Sequence, residues 1–256
     1  RSLLNGRNWE YFSEDPYLSG ELAVPYIQGV QSQGVASCVK HFALNSQAYN
    51  QYTVSSEVDD RTLHEIYLPA FEAAIQRGGA MTVMAAYNKV RGLWCTESSY
   101  LLDSLLRGEL GFDGMVVSDW NAVHNTERTA LCGMDVEMGT NIKGNGKEMF
   151  KQYYLADPLL QKVQNGEIPE EAVNRKVRNI LKLMLRLDLI GKAPYDTTGM
   201  AAKLATPAHC SIAREIAEES FVLLRNSNHM LPLNPAHYKK IAVIGANAKE
   251  VFARGG

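Results

Sequence analysis

The sequence predicts an α/β protein: the C-terminal part of a (β/α)8-type barrel, followed by the start of a second α/β domain. Two observations predict it. Short apolar runs alternate with helical patterns, which implies parallel βαβ units. Each of the three main runs also ends in a polar or aromatic tip, where a strand would finish. In a β/α barrel that C-terminal face collects reactive groups from several strands. A doubly wound open sheet shares the logic at its switch point. Several successive tips, rather than one or two, favour the barrel. Only about half a barrel is present, so the first strands are expected outside these 256 residues.

The elements follow in order. Val35 to Val39 (VASCV) is the first apolar run, and Lys40-His41 follow it. Arg61 to Arg77 carries Leu63, Ile66, Tyr67, Ala70, Phe71, Ala74 and Ile75 at three-and-four spacing, a helix with Asp60 as its N-cap. Met81 to Ala86 (MTVMAA) is the second run, followed by Tyr87-Asn88. Ser98 to Leu110 is helical through Leu101, Leu102, Leu105, Leu106 and Leu110, and Gly111 stops it. Met115 to Val117 is the third run and closes in Ser118-Asp119-Trp120. Met134 to Met138 (MDVEM) is a shorter, more polar fourth. Pro169 to Leu189 reads as one long helix, ended by Gly191 and Pro194.

A small, polar stretch from Asp196 to Ala205 reads as a linker. The expected domains are therefore 1–195, a partial barrel; 196–206, a linker; and 207–256, the opening of the second domain. There Pro207 to Leu224 is helical, and Ile241 to Gly245 begins a fresh strand. Gly245-Ala246-Asn247-Ala248 lacks the three-glycine spacing of a dinucleotide loop, so no organic cofactor is expected.

Composition excludes several classes. The 26 basic and 28 acidic residues nearly cancel, which leaves no basic field for nucleic acid. No apolar run approaches the ~20 residues of a membrane helix. Cys38, Cys95, Cys132 and Cys210 are widely spaced with no CxxC, against a zinc site or redox dithiol, and read mostly as small buried apolar residues. No metal is expected, and homo-oligomerisation stays open. The chain begins at Arg1 without an initiator Met or a signal-like segment, and ends just after a strand-like run; it reads as a piece of a longer protein.

The tips suggest one polar cup. A carboxylate at a strand end, as at Asp119, points into the cleft on which the strand opens, though alone it is more often a helix cap or turn residue. The Trp120 indole beside it offers a flat face for a sugar ring or base. Lys40 and His41 suit a polyol pocket; the bland alternative is a surface lysine and a structural histidine. Arg7 alone would be a surface ion-pair former. Tyr87 can bond a carboxylate through its phenol, or sit as a core-edge tyrosine. Met84 reads as core. Neighbouring cations would keep Asp119 ionised. An ionised, held carboxylate is what a retaining glycosidase needs as nucleophile.

These stretches carry a resemblance to the family 3 glycoside hydrolases, the β-glucosidase-like enzymes. They are Gly6 to Gly20 (GRNWEYFSEDPYLSG), Lys40-His41-Phe42, Tyr87-Asn88-Lys89-Val90, Gly111 to Trp120 (GFDGMVVSDW) and Gly133 to Met138 (GMDVEM). Ala217 to Pro232 and Ile241 to Asn247 resemble the entry to that family's second domain. The resemblance implies a barrel followed by an α/β sandwich, with the active site between them. It implies Asp119 as nucleophile and Trp120 as an aglycone-side aromatic. Arg7, Lys40 and His41 would hold hydroxyls of the non-reducing sugar; Tyr87, and less directly Met84, would pack around the nucleophile. It also implies a periplasmic or secreted protein.

Two departures qualify it. The branch acting on N-acetylglucosaminides carries a His-containing acid/base loop after Lys-His-Phe. Here that loop is Ala43-Leu44-Asn45-Ser46-Gln47, and an amide at Asn45 cannot shuttle a proton at neutral pH. In the β-glucosidase-like branch the acid/base is a glutamate of the second domain, expected beyond this chain. Glu10 and Glu14 read as structural ion-pair formers, Glu57 as a nearby carboxylate, and Glu137 as a barrel-end residue of no assigned task. The second departure is the front of the barrel, from which the family brings a further substrate-binding Asp.

The expected function is a retaining, exo-acting β-glycosidase, a β-glucosidase first. It would act on a β-linked oligosaccharide or an aryl or alkyl glycoside through a glycosyl-aspartate. The alternatives are a β-xylosidase or arabinofuranosidase of the same family, or a non-catalytic sugar-binding fragment without the acid/base.

Overall fold

A computed structural model of the chain describes residues 3–139, 147–191 and 197–249. The chain divides into two compact units, Arg1–Ala193 and Pro194–Gly256.

Among its described residues the first unit has six strands: β1 Cys38–Phe42, β2 Ser55–Ser56, β3 Thr82–Ala85, β4 Lys89–Val90, β5 Leu93–Trp94 and β6 Met115–Ser118. β1, β3 and β6 form a parallel sheet in that order. β3 and β6 are buried almost throughout, as expected of parallel strands covered on both faces. The register pairs Phe42 with Ala85 and Ala85 with Ser118. All three strands therefore end level, and their following residues leave the sheet side by side.

The second and third apolar runs become β3 and β6. The first does not become β1 where expected. The strand starts at Cys38, so Lys40 and His41 lie within it rather than after it. The ladder to Thr82–Ala85 decides this, since Cys38 pairs with Thr82. The fourth run, Met134 to Met138, makes only an isolated parallel bridge, Val117 to Val136. Asp135 turns inward there, and its carboxylate occupies the Val116 amide at 2.8 Å.

The helix Pro16–Gln31 starts on Asp15, which accepts from the amides of Tyr17 and Leu18. Its Ile27 packs with Ala74 and Ala80. The run 60–77 is helical, but its cap is Asp59, not Asp60: Asp59 accepts from the Thr62 amide at 2.9 Å. It alternates α-helical turns with π-helical ones at Leu63–Tyr67 and Ala73–Arg77. Tyr100–Glu109 is also π-helical; Leu101, Leu102, Leu105 and Leu106 are its buried stripe, and Gly111 ends it at φ +70°. These leucines join Phe42, Val83, Ala85 and Val116 in one core. At Gly114 a Cβ would overlap the Met81 carbonyl oxygen, so only glycine lets β6 begin that close to β3.

A second sheet, β2-β4-β5, was not expected. β4 and β5 form a hairpin across Arg91 (φ +51°) and Gly92 (φ +83°), a two-residue turn of the I′ kind.

The long helix runs Glu170–Arg186, slightly shorter than the expected span. Its Lys176 is buried and donates to the carbonyls of Thr129, Cys132 and Met134. Asp135 accepts from Arg107 at 2.7 Å and from Asn179 at 2.8 Å as well as from Val116. One carboxylate thus ties the 100–109 helix, β6 and the long helix together. Cys95 and Cys132 are buried as expected, but Cys38 and Cys210 are exposed.

In the second unit the helix Pro207–Glu219 is capped by Thr206 and stops before Leu224. The expected strand from Ile241 is absent among the described residues, and Ile241, Val243 and Ile244 are exposed. An apolar run becomes a strand only where a neighbour completes its ladder. The expected linker holds a short helix, Met200–Lys203, and its first residue lies outside the described residues. Among the described residues no helix is long and apolar enough to cross a membrane.

Candidate active site

Asp119 is the first residue past β6, and its amide continues the ladder to the Ala85 carbonyl at 3.1 Å. It is 3% exposed. Oδ1 accepts from the Trp120 amide at 2.8 Å. Oδ2 lies 3.2 Å from His41 Nε2, a charge contact out of hydrogen-bond alignment, and neither atom has a hydrogen-bond partner among the described residues. The Tyr87 phenol lies close enough to the same carboxylate to favour its charged form. Ser118 Oγ donates to the Asp119 carbonyl and accepts from the Met138 amide, each at 2.8 Å, which fixes the end of β6.

Burial alone would raise the Asp119 pKa. The close contact and charge of His41, with the Trp120 amide and the Tyr87 phenol, carry it below the usual carboxylate range. His41 is likewise lowered, below the range of an isolated imidazole. Burial lowers its pKa, Lys40 and Arg7 lower it further, and Asp119 opposes them. At neutral pH the pair is therefore a carboxylate and a neutral imidazole. Tyr87 is raised by burial and then by the Asp119 charge, so its phenol stays protonated.

Arg7 and Lys40 do not pair with Asp119, as the expected ring of cations would have had it. Both bind Glu10: Arg7 Nε at 2.5 Å and Nη2 at 2.8 Å, Lys40 Nζ at 2.8 Å. Burial pushes the Glu10 carboxyl up, but Arg7 and Lys40 outweigh it and bring it to about 2. Arg7 still feels the Asp119 charge. Glu10 is the ion-pair former expected, yet its partners are the two site cations.

Trp120 is 44% exposed, with its indole open to the solvent beside Asp119. Met84 is half-buried within β3. Asn45 is buried, and its carbonyl accepts from Asn5. Glu14 is exposed and forms no ion pair among the described residues. Glu57 accepts from Ser55, and Glu137 accepts from the Leu155 amide at 2.7 Å. A cleft of about 810 Å³ runs beside β1; Glu10, Tyr11, Lys40 and His41 line its polar end, while Asp119, Tyr87 and Trp120 do not line it. Among the described residues no group of His, Cys, Asp and Glu is placed to hold a metal ion.

Two contributors escape sequence reasoning. Tyr11 hydrogen-bonds His41 Nδ1, and Tyr52 packs edge-on against Tyr87 at 4.7 Å between ring centres. Tyr11 lies in the quoted stretch Gly6 to Gly20, beside Glu10, which was the available signal. Tyr52 carried none, because it meets Tyr87 only once the fold brings residues 35 apart together.

Comparison with known proteins fits this geometry. Residues 1–183 match the sequence profile of the glycosyl hydrolase family 3 N terminal domain. The chain is 44% identical over 264 residues to the β-glucosidase BoGH3A of Bacteroides ovatus, covering 100% of this chain and 34% of that protein. It is 35% identical over 263 residues to an exo-α-(1→6)-L-arabinopyranosidase of Bifidobacterium longum, covering 100% of this chain and 32% of that one. Among solved structures, DesR, a β-glucosidase from Streptomyces venezuelae in complex with D-glucose, superposes with a TM-score of 0.79 at 37% identity, over 91% of this chain and 30% of that chain. A parallel α/β sheet with a held strand-end carboxylate thus falls among the glycoside hydrolases. Within them, the chain belongs to family 3. It spans about a third of the length of the curated relatives it matches.

Proposed function

We propose that the chain is the nucleophile-bearing part of a retaining, exo-acting β-glycosidase, a β-glucosidase before any other. The observation that carries this is Asp119: buried at a strand end, kept ionised, and oriented by His41, Tyr87 and the Trp120 amide. The β-glucosidase names of the relatives support the substrate class. The three level parallel strands support an arc of a (β/α)8-type barrel, with 207–256 opening a second domain.

In the proposed mechanism Asp119 attacks the anomeric carbon while a general acid from elsewhere in the protein protonates the leaving oxygen. A covalent glycosyl-aspartate forms with inversion. Water, activated by the same acid/base in its deprotonated form, then opens it with a second inversion. Arg7 and Lys40, steadied by Glu10, hold the sugar hydroxyls, while His41, buried and with both ring nitrogens facing protein groups, orients Asp119 instead of binding sugar as the resemblance implied. Trp120 stacks on the aglycone side.

The test uses the protein of full natural length. Incubation with an activated 2-deoxy-2-fluoro-β-glucoside should add one sugar, and peptide mapping should place it on Asp119. Asp119→Ala should lower turnover of an aryl β-glucoside on the order of 10³-fold or more. Near wild-type turnover in that variant would sink the assignment. A second reading, a pentosidase of the same family, is favoured by the arabinopyranosidase relative. The ratio of kcat/KM for aryl β-glucoside, β-xyloside and α-L-arabinopyranoside separates the two.

A further inference from the structure

We infer that Tyr11 is a positioning residue: its phenol, on Nδ1 of His41, fixes the imidazole tautomer that presents Nε2–H to Asp119. The inference rests on the proposed role of Asp119 and deepens it.

The chain of contacts is short. Tyr11 Oη hydrogen-bonds His41 Nδ1, and His41 Nε2 lies 3.2 Å from Asp119 Oδ2. The Tyr11 and His41 ring centres are 5.9 Å apart. The His41 side chain is wholly buried, so water does not compete for either ring nitrogen. The groups facing the ring are Asp119, Lys40, Arg7 and Tyr11, with Glu10 behind the two cations.

Proton placement follows from these neighbours. Asp119 is ionised, and a carboxylate can only accept. A bare Nε2 lone pair against Oδ2 would be repulsive, so Nε2 carries a proton. Burial and two nearby cations disfavour a second proton on the ring. Nδ1 is then an acceptor, and the Tyr11 O–H must donate to it. Without that donor the buried Nδ1 lone pair has no partner, and only the Asp119 charge is left to hold the ring as Nε2–H.

The test again uses the protein of full natural length. Histidine 15N shifts in the wild type should show an acceptor Nδ1 and a protonated Nε2 for His41; the reverse pattern overturns the inference and needs no variant. Tyr11→Phe should lower kcat about 10-fold, the effect of one buried hydrogen bond, with KM changed less than about 2-fold. Its labelling of Asp119 by the fluoroglucoside should slow in step. In a His41→Asn background the same substitution should cost nothing more. A merely structural Tyr11 would cost as much there as in the wild type, which refutes the inference, as does an unchanged kcat. If the wild type fails to label Asp119, the functional assignment falls, while the 15N pattern still decides what Tyr11 does.

Discussion

His41 Nε2 stands 3.2 Å from Asp119 Oδ2 although their strands are not neighbours. β3 lies between them. Strand backbones two apart are separated by roughly 9.5 Å, a gap two side chains can span only if the middle strand stays low. The β3 position level with Asp119, one step past the Ala85–Ser118 pair, is Ala86, which is buried and small. The contact is therefore a product of register and of a small residue between the two strands.

Replacing His41 removes the foremost of the groups that hold the Asp119 carboxyl down. In His41→Phe the folded-state Asp119 pKa should rise. Its ionised form is then lost at a higher pH, so the acidic limb of kcat/KM should move upward. A pH–rate profile checks this, and an unmoved acidic limb contradicts it.

Glu10 titrates at about 2 in the folded chain, against 4.5 for an ordinary glutamate. A depressed acid adds stability that is complete above the unfolded value and disappears as pH falls through the folded one. The melting-temperature difference between wild type and Glu10→Gln should be full above about pH 4.5 and shrink to nothing toward pH 2. The substitution should also raise KM, because Arg7 and Lys40 lose their common anchor. A stability difference that persists undiminished at the acid end would rule out the ion pair as its source.

Asp135→Ala deletes the acceptor shared by Arg107, Val116 and Asn179. It leaves a mostly buried guanidinium without its counter-charge, with only the Gly114 and Gly133 carbonyls as acceptors, which should cost about 3 kcal/mol. Denaturant unfolding measures this. A loss within the range of ordinary surface substitutions would show that the three elements are held by packing alone.

Much of the sheet was legible because β3 and β6 are continuous apolar runs, and such runs have few other uses. β1 was displaced because it is not apolar: Lys40 and His41 interrupt it, and only pairing with Thr82–Ala85 sets its frame. Ile241 to Ile244 misled in the opposite sense, since propensity without a neighbouring strand makes no ladder. The Arg91-Gly92 hairpin has a glycine at the needed place, but its two-residue strands are too short to show an alternation in the sequence. At the site, residue types were legible and partnerships were not. Asp119, His41 and Tyr87 could be chosen from their places at strand ends. That Glu10 gathers Arg7 and Lys40, and that Tyr11 faces His41, depends on an N-terminal segment folding back over β1.

Of the three tryptophans, Trp94 is stacked on His124 at 4.1 Å, with the Lys89 ammonium 4.5 Å from its ring centre. Trp9, beside Glu10, is 66% exposed, and Trp120, beside Asp119, is 44% exposed. The two solvent-facing indoles thus flank the ionic cluster and the carboxylate. The chain carries its own optical reporters: ligand entry should alter intrinsic emission at Trp120 and Trp9, and the part of that change lost in Trp120→Phe is the signal from beside Asp119, read without any added label.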